Sequence, residues 1–137
     1  MIIADTGFFV ALGNRRDQSH QTANQQLSIL REPLITTYPV IVETSYLLAE
    51  RCGQMPQFKF LQQLTSGSIQ IFQLDINDLK RALVLMKKYA DLPMDLADAS
   101  LVVLAERLKD GRILTTDIQD FRVYRWGNNQ IFDLLLR

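Results

Sequence analysis

The sequence predicts an α/β fold, a three-layer α/β/α sandwich with a central, mainly parallel sheet of four or five strands. Short apolar runs alternate along the chain with longer segments of helical spacing, an order that is typical of βαβ units. The first apolar run, residues 1–4, ends directly on Asp5. In α/β sheets, ligands bind just outside the carboxyl ends of the strands, so Asp5 marks the edge where chemistry is expected.

The first half of the chain is predicted to form two strands and four helices. Asp17 or Ser19 can cap the second helix, Pro39 suits the first turn of the third, and Gly53 ends that third helix. The predicted strands cover residues 1–4 and 34–37, and the predicted helices cover residues 8–12, 19–29, 40–49 and 58–64.

The second half is predicted to add two strands, two helices and a less regular tail. Asp75 begins one helix with Asp78 as its capping-box partner, and Asp95 caps the next, which Gly111 stops. The predicted strands cover residues 69–72 and 112–115, and the helices 75–89 and 95–108. In the tail we expect an edge strand around 123–124 and a turn at 127–129.

The bulk composition predicts one globular domain over residues 1–137, with 47% hydrophobic and 22% charged residues. No apolar run approaches the roughly 18 residues needed to cross a bilayer, and the N-terminus lacks the features of a secretion signal. The lone cysteine, Cys52, suits a reducing cytoplasm. The formal net charge of zero leaves nucleic-acid binding open, because a basic rim can surround an acidic centre.

Four acidic residues are predicted to meet at the carboxyl edge of the sheet. Asp5 and Asp117 directly follow strands, while Glu43 and Asp98 lie in the first turns of helices. Helix N-termini share an edge with strand C-termini in βαβ units, so all four carboxylates reach one place. Clustered carboxylates raise one another's pKa unless cations lie among them, and Mg²⁺ or Mn²⁺ prefers such oxygen ligands.

The same reasoning also brings to this edge acids that only cap helices. Asp75 with Asp78 is explained by capping, Asp95 mainly by capping, and Asp120 equally well by a turn or by the metal site. Asp98 itself lies where a capping-box acid would lie. Spacing alone therefore leaves a four-acid site and a set of unrelated caps as alternatives.

Four motifs in this order resemble those of a known family. They are a strand followed by Asp-Thr-Gly, V-x-x-E-x-x-x-L over residues 40–47, D-L-A-D-A-S-L over residues 95–101 and I-L-T-T-D-x-x-D-F over residues 113–121. Together they are similar to PIN-domain nucleases, and most to the VapC-type toxins of bacterial toxin–antitoxin pairs. The resemblance covers nearly the whole chain and implies a PIN-like α/β/α fold.

The resemblance implies a Mg²⁺-dependent or Mn²⁺-dependent endoribonuclease that leaves a 5′-phosphate and a 3′-hydroxyl. The family's metal-binding and catalytic acids correspond to Asp5, Glu43, Asp98 and Asp117, with Asp5 and Asp98 as the principal ligands. Around them, four residues are expected to orient the ligands by hydrogen bonding, namely Thr6, Asp95, Thr116 and Asp120. No Ser, Cys or His nucleophile is needed, and we expect a surface or packing role for His20.

A polyanionic substrate needs cations around an acidic centre. The basic residues nearest in sequence to the predicted site are Arg15, Arg16, Arg122 and Arg125, with Lys87 and Lys88 as further candidates. Solvated surface charges are the alternative interpretation. Trp126 is expected either to stack on a base or to pack at the C-terminal edge.

The resemblance also implies a homodimer and a cognate antitoxin that lies across the site. Apolar positions in the third and fourth helices can serve either contact or the core, namely Tyr46, Leu47, Phe58 and Phe60.

Three other classes with related folds are excluded by missing residues. A haloacid-dehalogenase-type phosphotransferase needs a second Asp where this chain has Gly7. A receiver domain needs paired acids at the first strand and a lysine near the last, and a dinucleotide-binding fold needs a glycine-rich turn after the first strand. The alternative that stays open is a PIN-like RNA-binding or protein-binding module without turnover.

Overall fold

A computed structural model describes residues 1–136 and contains a five-stranded parallel sheet in the order β3-β2-β1-β4-β7. The strands are β1 (Ile2–Ala4), β2 (Leu34–Thr37), β3 (Ile69–Phe72), β4 (Arg112–Leu114), β5 (Arg125–Trp126), β6 (Gln130–Ile131) and β7 (Asp133–Leu134). The helices are α1 (Thr6–Gly13), α2 (His20–Ile29), α3 (Tyr38–Cys52), α4 (Gln54–Thr65), α5 (Ile76–Lys88), α6 (Leu96–Leu108) and α7 (Ile118–Val123).

The parallel sheet and its flanking helices confirm the predicted α/β/α architecture. Strand β1 pairs with β2 and β4, with Ile3 opposite both Ile35 and Ile113. Helix α1 packs against α2, α3 and α4, whereas α5 packs against α6, and α6 lies against β1 and β2. Fully buried side chains of β1 and β4, such as Ile3 and Leu114, form the centre of the core.

Three helices begin earlier than the sequence predicts, and one of them, α3, begins at Tyr38, directly before Pro39. Helix α1 begins at Thr6 because the Asp5 carboxylate caps it, accepting the Thr6 backbone N–H. Helix α4 begins at Gln54, directly after Gly53, whose φ of 92° lies in the left-handed region that glycine adopts without strain.

The prediction that Gly111 stops α6 is wrong. The C-cap is Lys109, with a φ of 55° in the left-handed conformation. Gly111 instead makes room for the indole of Trp126, because a Cβ atom at residue 111 would lie 2.2 Å from Trp126 Nε1.

The prediction of an edge strand around residues 123–124 is also wrong. Val123 is the last residue of α7, and Tyr124 is its C-cap. Strands β5 and β6 form a separate antiparallel pair, and the edge of the main sheet is β7, which pairs with β4. The apolar side chains of residues 121 and 124 therefore follow helical spacing, not strand alternation.

The strand order reverses between β1 and β4. The chain passes from β1 to β2 and β3 on one side and then returns to β4 and β7 on the other. Such a switch point opens a crevice at the carboxyl ends of the two strands, and Asp5 and Asp117 follow β1 and β4 at that place.

Over residues 1–136, no helix combines the length and apolar character that a membrane crossing requires.

Candidate metal centre

Asp5 is the most enclosed acid of the crevice, with 5% of its surface exposed. Its Oδ1 accepts the Thr6 backbone N–H at 2.7 Å, and its Oδ2 accepts the Thr115 hydroxyl at 2.7 Å. These two donors fix the plane of the carboxylate at the end of β1.

Asp98 lies in the first turn of α6, where the sequence left capping and metal binding as alternatives. Its backbone N–H donates to the Asp95 carboxylate at 2.8 Å, so Asp95 is the cap. In α5 the equivalent pair is a complete capping box, with Asp78 accepting the Asp75 backbone N–H at 3.0 Å. The Asp98 carboxylate makes no such return bond and instead accepts the Tyr124 hydroxyl at 2.8 Å. Its side chain is therefore directed into the crevice.

Asp117 and Asp120 reach the crevice from the start of α7. Asp117 is the N-cap of α7 and accepts the Asp120 backbone N–H at 3.2 Å. Carboxylate oxygens of Asp98, Asp117 and Asp120 all lie within 4.8 Å of one another. This cluster, with Asp120 as a member, is spaced so that one cation can contact three carboxylates.

Glu43 is half-buried in the second turn of α3. Its charge contributes to raising the pKa of Asp5, as does that of Asp117. Of the four acids predicted from the sequence, Asp98 and Asp117 belong to the cluster, whereas Asp5 and Glu43 lie outside it and interact through their charges.

Burial and mutual repulsion disfavour the charged forms of these acids. Burial raises the pKa of Asp5 to about 6, opposed by the hydrogen bonds from Thr115 and Thr6. Burial, together with the charges of Asp5, Asp95 and Asp117, raises the pKa of Asp98 to about 8. The pKa of Asp117 is also raised, mainly by burial. A divalent cation would reverse this balance, and an all-carboxylate set of hard oxygen donors fits Mg²⁺ or Mn²⁺.

The hydroxyl that orients Asp5 belongs to Thr115, which sequence reasoning missed. Thr115 is buried, and its hydroxyl also accepts the Asp117 backbone N–H at 3.0 Å, so one side chain connects two of the acids. The predicted Thr6 donates through its backbone, and its Oγ1 is buried without a partner within residues 1–136. Thr116 is exposed and lies against Gly7, where a Cβ would come within 1.9 Å of its hydroxyl. In the sequence, the only indication of this hydroxyl is the pair of adjacent threonines directly before Asp117.

Tyr124 was also missed as a site residue. Its ring is fully buried, and burial together with the Asp98 carboxylate raises the pKa of its hydroxyl far above the usual value. The hydroxyl therefore stays protonated and donates to Asp98.

The acids assigned to capping lie outside the cluster. Asp75 and Asp78 cap α5, and the buried Asp78 carboxylate forms an ion pair with Arg107 at 3.3 Å. The capping interpretation of this pair is confirmed.

The fold separates the four arginines of the predicted cationic rim into two pairs. Arg15 lines a groove of about 1120 Å³ together with Leu34 and Ile69, the first residues of β2 and β3. It therefore lies toward the amino edge of the sheet, because the eight residues of α1 span about 12 Å away from Asp5. Arg16 is exposed in the loop that follows α1.

The other two arginines lie at the C-terminal end of α7, the helix that carries Asp117 and Asp120 at its start. Arg122 is exposed in the last turn of α7, whose first turn holds Asp120. The Arg125 guanidinium donates to the carbonyl oxygens of Arg122, Val123 and Tyr124 at 2.8 to 3.0 Å, so it completes the C-terminus of α7. Contact of any of the four arginines with RNA stays a prediction.

His20 and Trp126 have packing roles in the structure. His20 Nδ1 lies 2.6 Å from the Ala11 carbonyl oxygen, which ties the start of α2 to α1. Trp126 covers Gly111, and its Nε1 donates to the Ile131 carbonyl at 3.0 Å.

The predicted apolar contact positions divide between surface and core. Tyr46 and Phe58 are exposed, Leu47 is half-buried, and Phe60 belongs to the core, where it packs on Phe9 with ring centroids 5.0 Å apart.

Comparisons of the sequence with known proteins identify a family and a similar protein. The sequence profile of the PIN domain matches residues 2–126. The chain is 27% identical to "Ribonuclease VapC26" of Mycobacterium tuberculosis over 124 residues, which is 90% of this chain and 92% of that protein.

Two solved structures share the fold. One is VapC20 of Mycobacterium tuberculosis, described as a Sarcin-Ricin loop cleaving toxin, with a TM-score of 0.81, 21% identity and coverage of 87% of this chain and 92% of that chain. The other belongs to a toxin–antitoxin complex from Klebsiella pneumoniae, with a TM-score of 0.67, 15% identity and coverage of 90% of this chain and 92% of that chain.

Proposed function

Because this chain belongs to the PIN-domain family, we propose that it is a Mg²⁺-dependent or Mn²⁺-dependent endoribonuclease and the toxin of a toxin–antitoxin pair. The observation that carries the proposal is the carboxylate cluster of Asp98, Asp117 and Asp120 beside Asp5, at the switch point of the sheet. As an enzyme acting on cellular RNA, it would work in the cytoplasm.

Asp5, Asp98 and Asp117 would hold the metal, with Glu43 completing the set or orienting the attacking water. When bound, a divalent ion polarises the phosphate and lowers the pKa of a water molecule. Thr115 keeps the Asp5 carboxylate and the Asp117 backbone in place. Asp120 adds a third carboxylate to the cluster, and the combined negative charge of these acids would repel RNA until a cation neutralises it.

The proposal is tested by mapping cleavage ends on total RNA, with the wild type beside Asp5→Asn. We expect discrete cuts carrying 5′-phosphates from the wild type in Mg²⁺, and none from Asp5→Asn or in excess EDTA. RNA retention without cuts by the wild type would support a PIN-like binding module. Equal cleavage by both proteins would contradict the metal site.

An antitoxin partner is part of the same proposal, and it is suggested by the toxin–antitoxin complex that shares this fold. We expect the product of a short reading frame beside the gene to co-purify with the chain and to stop its RNA cleavage. Cleavage that persists in such a purified complex would contradict silencing by that partner.

A homodimer is proposed from an apolar stripe on α3. Tyr38, Val42 and Tyr46 are exposed at four-residue spacing on one face of the helix. We expect Tyr46→Ser to shift the wild-type mass from dimer to monomer in light scattering. The matched control is Met55→Ser, an exposed apolar residue on α4 outside the stripe. A monomeric wild type would contradict the dimer.

A further inference from the structure

Tyr124 connects the C-terminus of α7 to the first turn of α6. Its hydroxyl donates to Asp98 Oδ2 at 2.8 Å, although the two residues lie 26 positions apart in the chain. Because Asp117 is the N-cap of α7 and Tyr124 is its C-cap, this short helix has an acid of the cluster at one end and a donor to another acid at the other end.

The ring of Tyr124 has little freedom to move. It packs edge-on against Tyr89 and Phe121, with ring centroids 5.1 and 5.0 Å away. Phe121 in turn packs on Phe132 at 5.3 Å. The Tyr89 hydroxyl accepts the Arg125 backbone N–H at 3.0 Å and makes no contact with an acid. The phenol is thus a rigid donor, held from several sides by aromatic packing.

This contact resembles the one that orients Asp5. Asp5 Oδ2 accepts the Thr115 hydroxyl, and Asp98 Oδ2 accepts the Tyr124 hydroxyl. Within residues 1–136, no hydrogen-bond donor is found for Asp98 Oδ1. Outer hydrogen bonds of this kind hold metal-binding carboxylates in position, and their loss weakens metal binding.

We propose that Tyr124 is a positioning residue whose phenol holds Asp98 in its metal-binding orientation. This proposal rests on the proposed function. Two aromatic rings behind it, Phe121 and Phe132, connect the C-terminal segment to the metal centre.

The test is Mn²⁺ binding, measured by calorimetry and electron paramagnetic resonance on Tyr124→Phe, which removes only the hydroxyl. We expect Mn²⁺ affinity to fall about 10-fold or more. The RNA cleavage rate should fall at limiting Mn²⁺ and recover as Mn²⁺ approaches saturation. Tyr89→Phe is the matched control, since it removes a neighbouring buried hydroxyl that bonds to backbone and not to an acid.

The outcomes separate the two proposals. A wild type that does not bind Mn²⁺ would contradict the metal centre itself. A wild type that binds Mn²⁺, with unchanged affinity in Tyr124→Phe, would overturn the role of Tyr124 alone. A merely structural hydroxyl would lower the melting temperature of both tyrosine variants without changing Mn²⁺ affinity.

A second measurement uses the unaltered protein and is independent of whether a variant folds. With all four tyrosines labelled at the 13Cζ atom, we expect Mg²⁺ to shift the Tyr124 signal and to leave the Tyr89 signal in place. A Tyr124 signal that does not move at saturating Mg²⁺ would overturn the proposal.

Discussion

The Thr115 hydroxyl donates to Asp5 Oδ2 at 2.7 Å and accepts the Asp117 backbone N–H at 3.0 Å. This one side chain joins the ends of β1, the central strand of the sheet, and its neighbour β4. It connects acids that lie 112 residues apart in sequence.

Thr115→Val should therefore impair catalysis more than stability. The change leaves Asp5 and the Asp117 N–H without their partner, and we expect RNA cleavage to fall about 10- to 100-fold. Loss of the buried hydrogen bonds should cost about 1 to 2 kcal/mol in the free energy of unfolding. Thr36→Val is the matched control, because the Thr36 hydroxyl is buried but donates to the Ala4 carbonyl and not to an acid. Equal losses of activity in both variants would argue against a specific role for Thr115.

The metal-free protein should lose stability as the pH rises. The folded pKa values of Asp5, about 6, and Asp98, about 8, exceed the ordinary value of 3.8. The folded state therefore binds more protons than the unfolded state between those limits, and its stability falls with increasing pH. We expect the melting temperature in EDTA to drop between about pH 5 and pH 8, and Mg²⁺ to reduce that drop. A melting temperature that rises over this range would contradict the clustered acids.

Asp98→Asn should stabilise the metal-free protein at neutral pH. The amide cannot ionise, so folding no longer has to keep the residue protonated or bury a charge that the neighbouring acids disfavour; because Asp98 is partly solvated, we expect a gain of about 1 kcal/mol. Asp91→Asn, in an exposed loop, is the control and should leave stability unchanged. The measurement is chemical denaturation in EDTA at pH 7.5, and a less stable Asp98→Asn would contradict the prediction.

Asp120 is expected to bind metal and not only to form a turn. Its carboxylate shares the cluster with Asp98 and Asp117, so Asp120→Asn should weaken Mn²⁺ binding about 10-fold. The backbone N–H of residue 120 would still donate to Asp117, which keeps α7 capped. Calorimetric titration with Mn²⁺ tests this prediction. An unchanged Mn²⁺ affinity would indicate that Asp120 only forms a turn.

Arg122 and Arg125 should respond differently to substitution by alanine. Arg125→Ala removes three donations to the carbonyls that end α7 and should cost about 1 kcal/mol of stability. Arg122→Ala should leave the melting temperature unchanged but raise the KM for RNA and weaken its salt dependence. An unchanged KM and salt dependence in Arg122→Ala would contradict its place in an RNA-binding rim.

The sequence predicts that the four acids lie at one edge of the sheet because their placement is local. Each follows a strand directly or lies in an early turn of a helix, so the βαβ order alone brings them to one edge. The distinction between Asp98 and Asp75 is not local. It depends on the donor that the acid in the first helical turn accepts from. In α5, the Asp78 carboxylate accepts the backbone N–H of the N-cap Asp75, whereas in α6 the Asp98 carboxylate accepts the distant Tyr124 hydroxyl.

The missed features depend on tertiary packing. The choice between Thr115 and Thr116 depends on the geometry with which the chain leaves β4. The placement of Tyr124 required α7, which is too short to show a clear helical period in sequence. Arg15 is near Asp5 in sequence, but α1 carries it toward the opposite edge of the sheet.

The central claim, that the acids converging on the β1/β4 crevice hold a metal for RNA cleavage, is tested most directly by comparing Asp98→Asn with Asp75→Asn. Both aspartates lie at helix starts that the fold brings to the same edge, but only Asp98 belongs to the carboxylate cluster. In single-turnover cleavage of RNA with Mg²⁺, we predict no detectable cleavage by Asp98→Asn and a nearly wild-type rate for Asp75→Asn. Cleavage by Asp98→Asn at the wild-type rate would contradict the account.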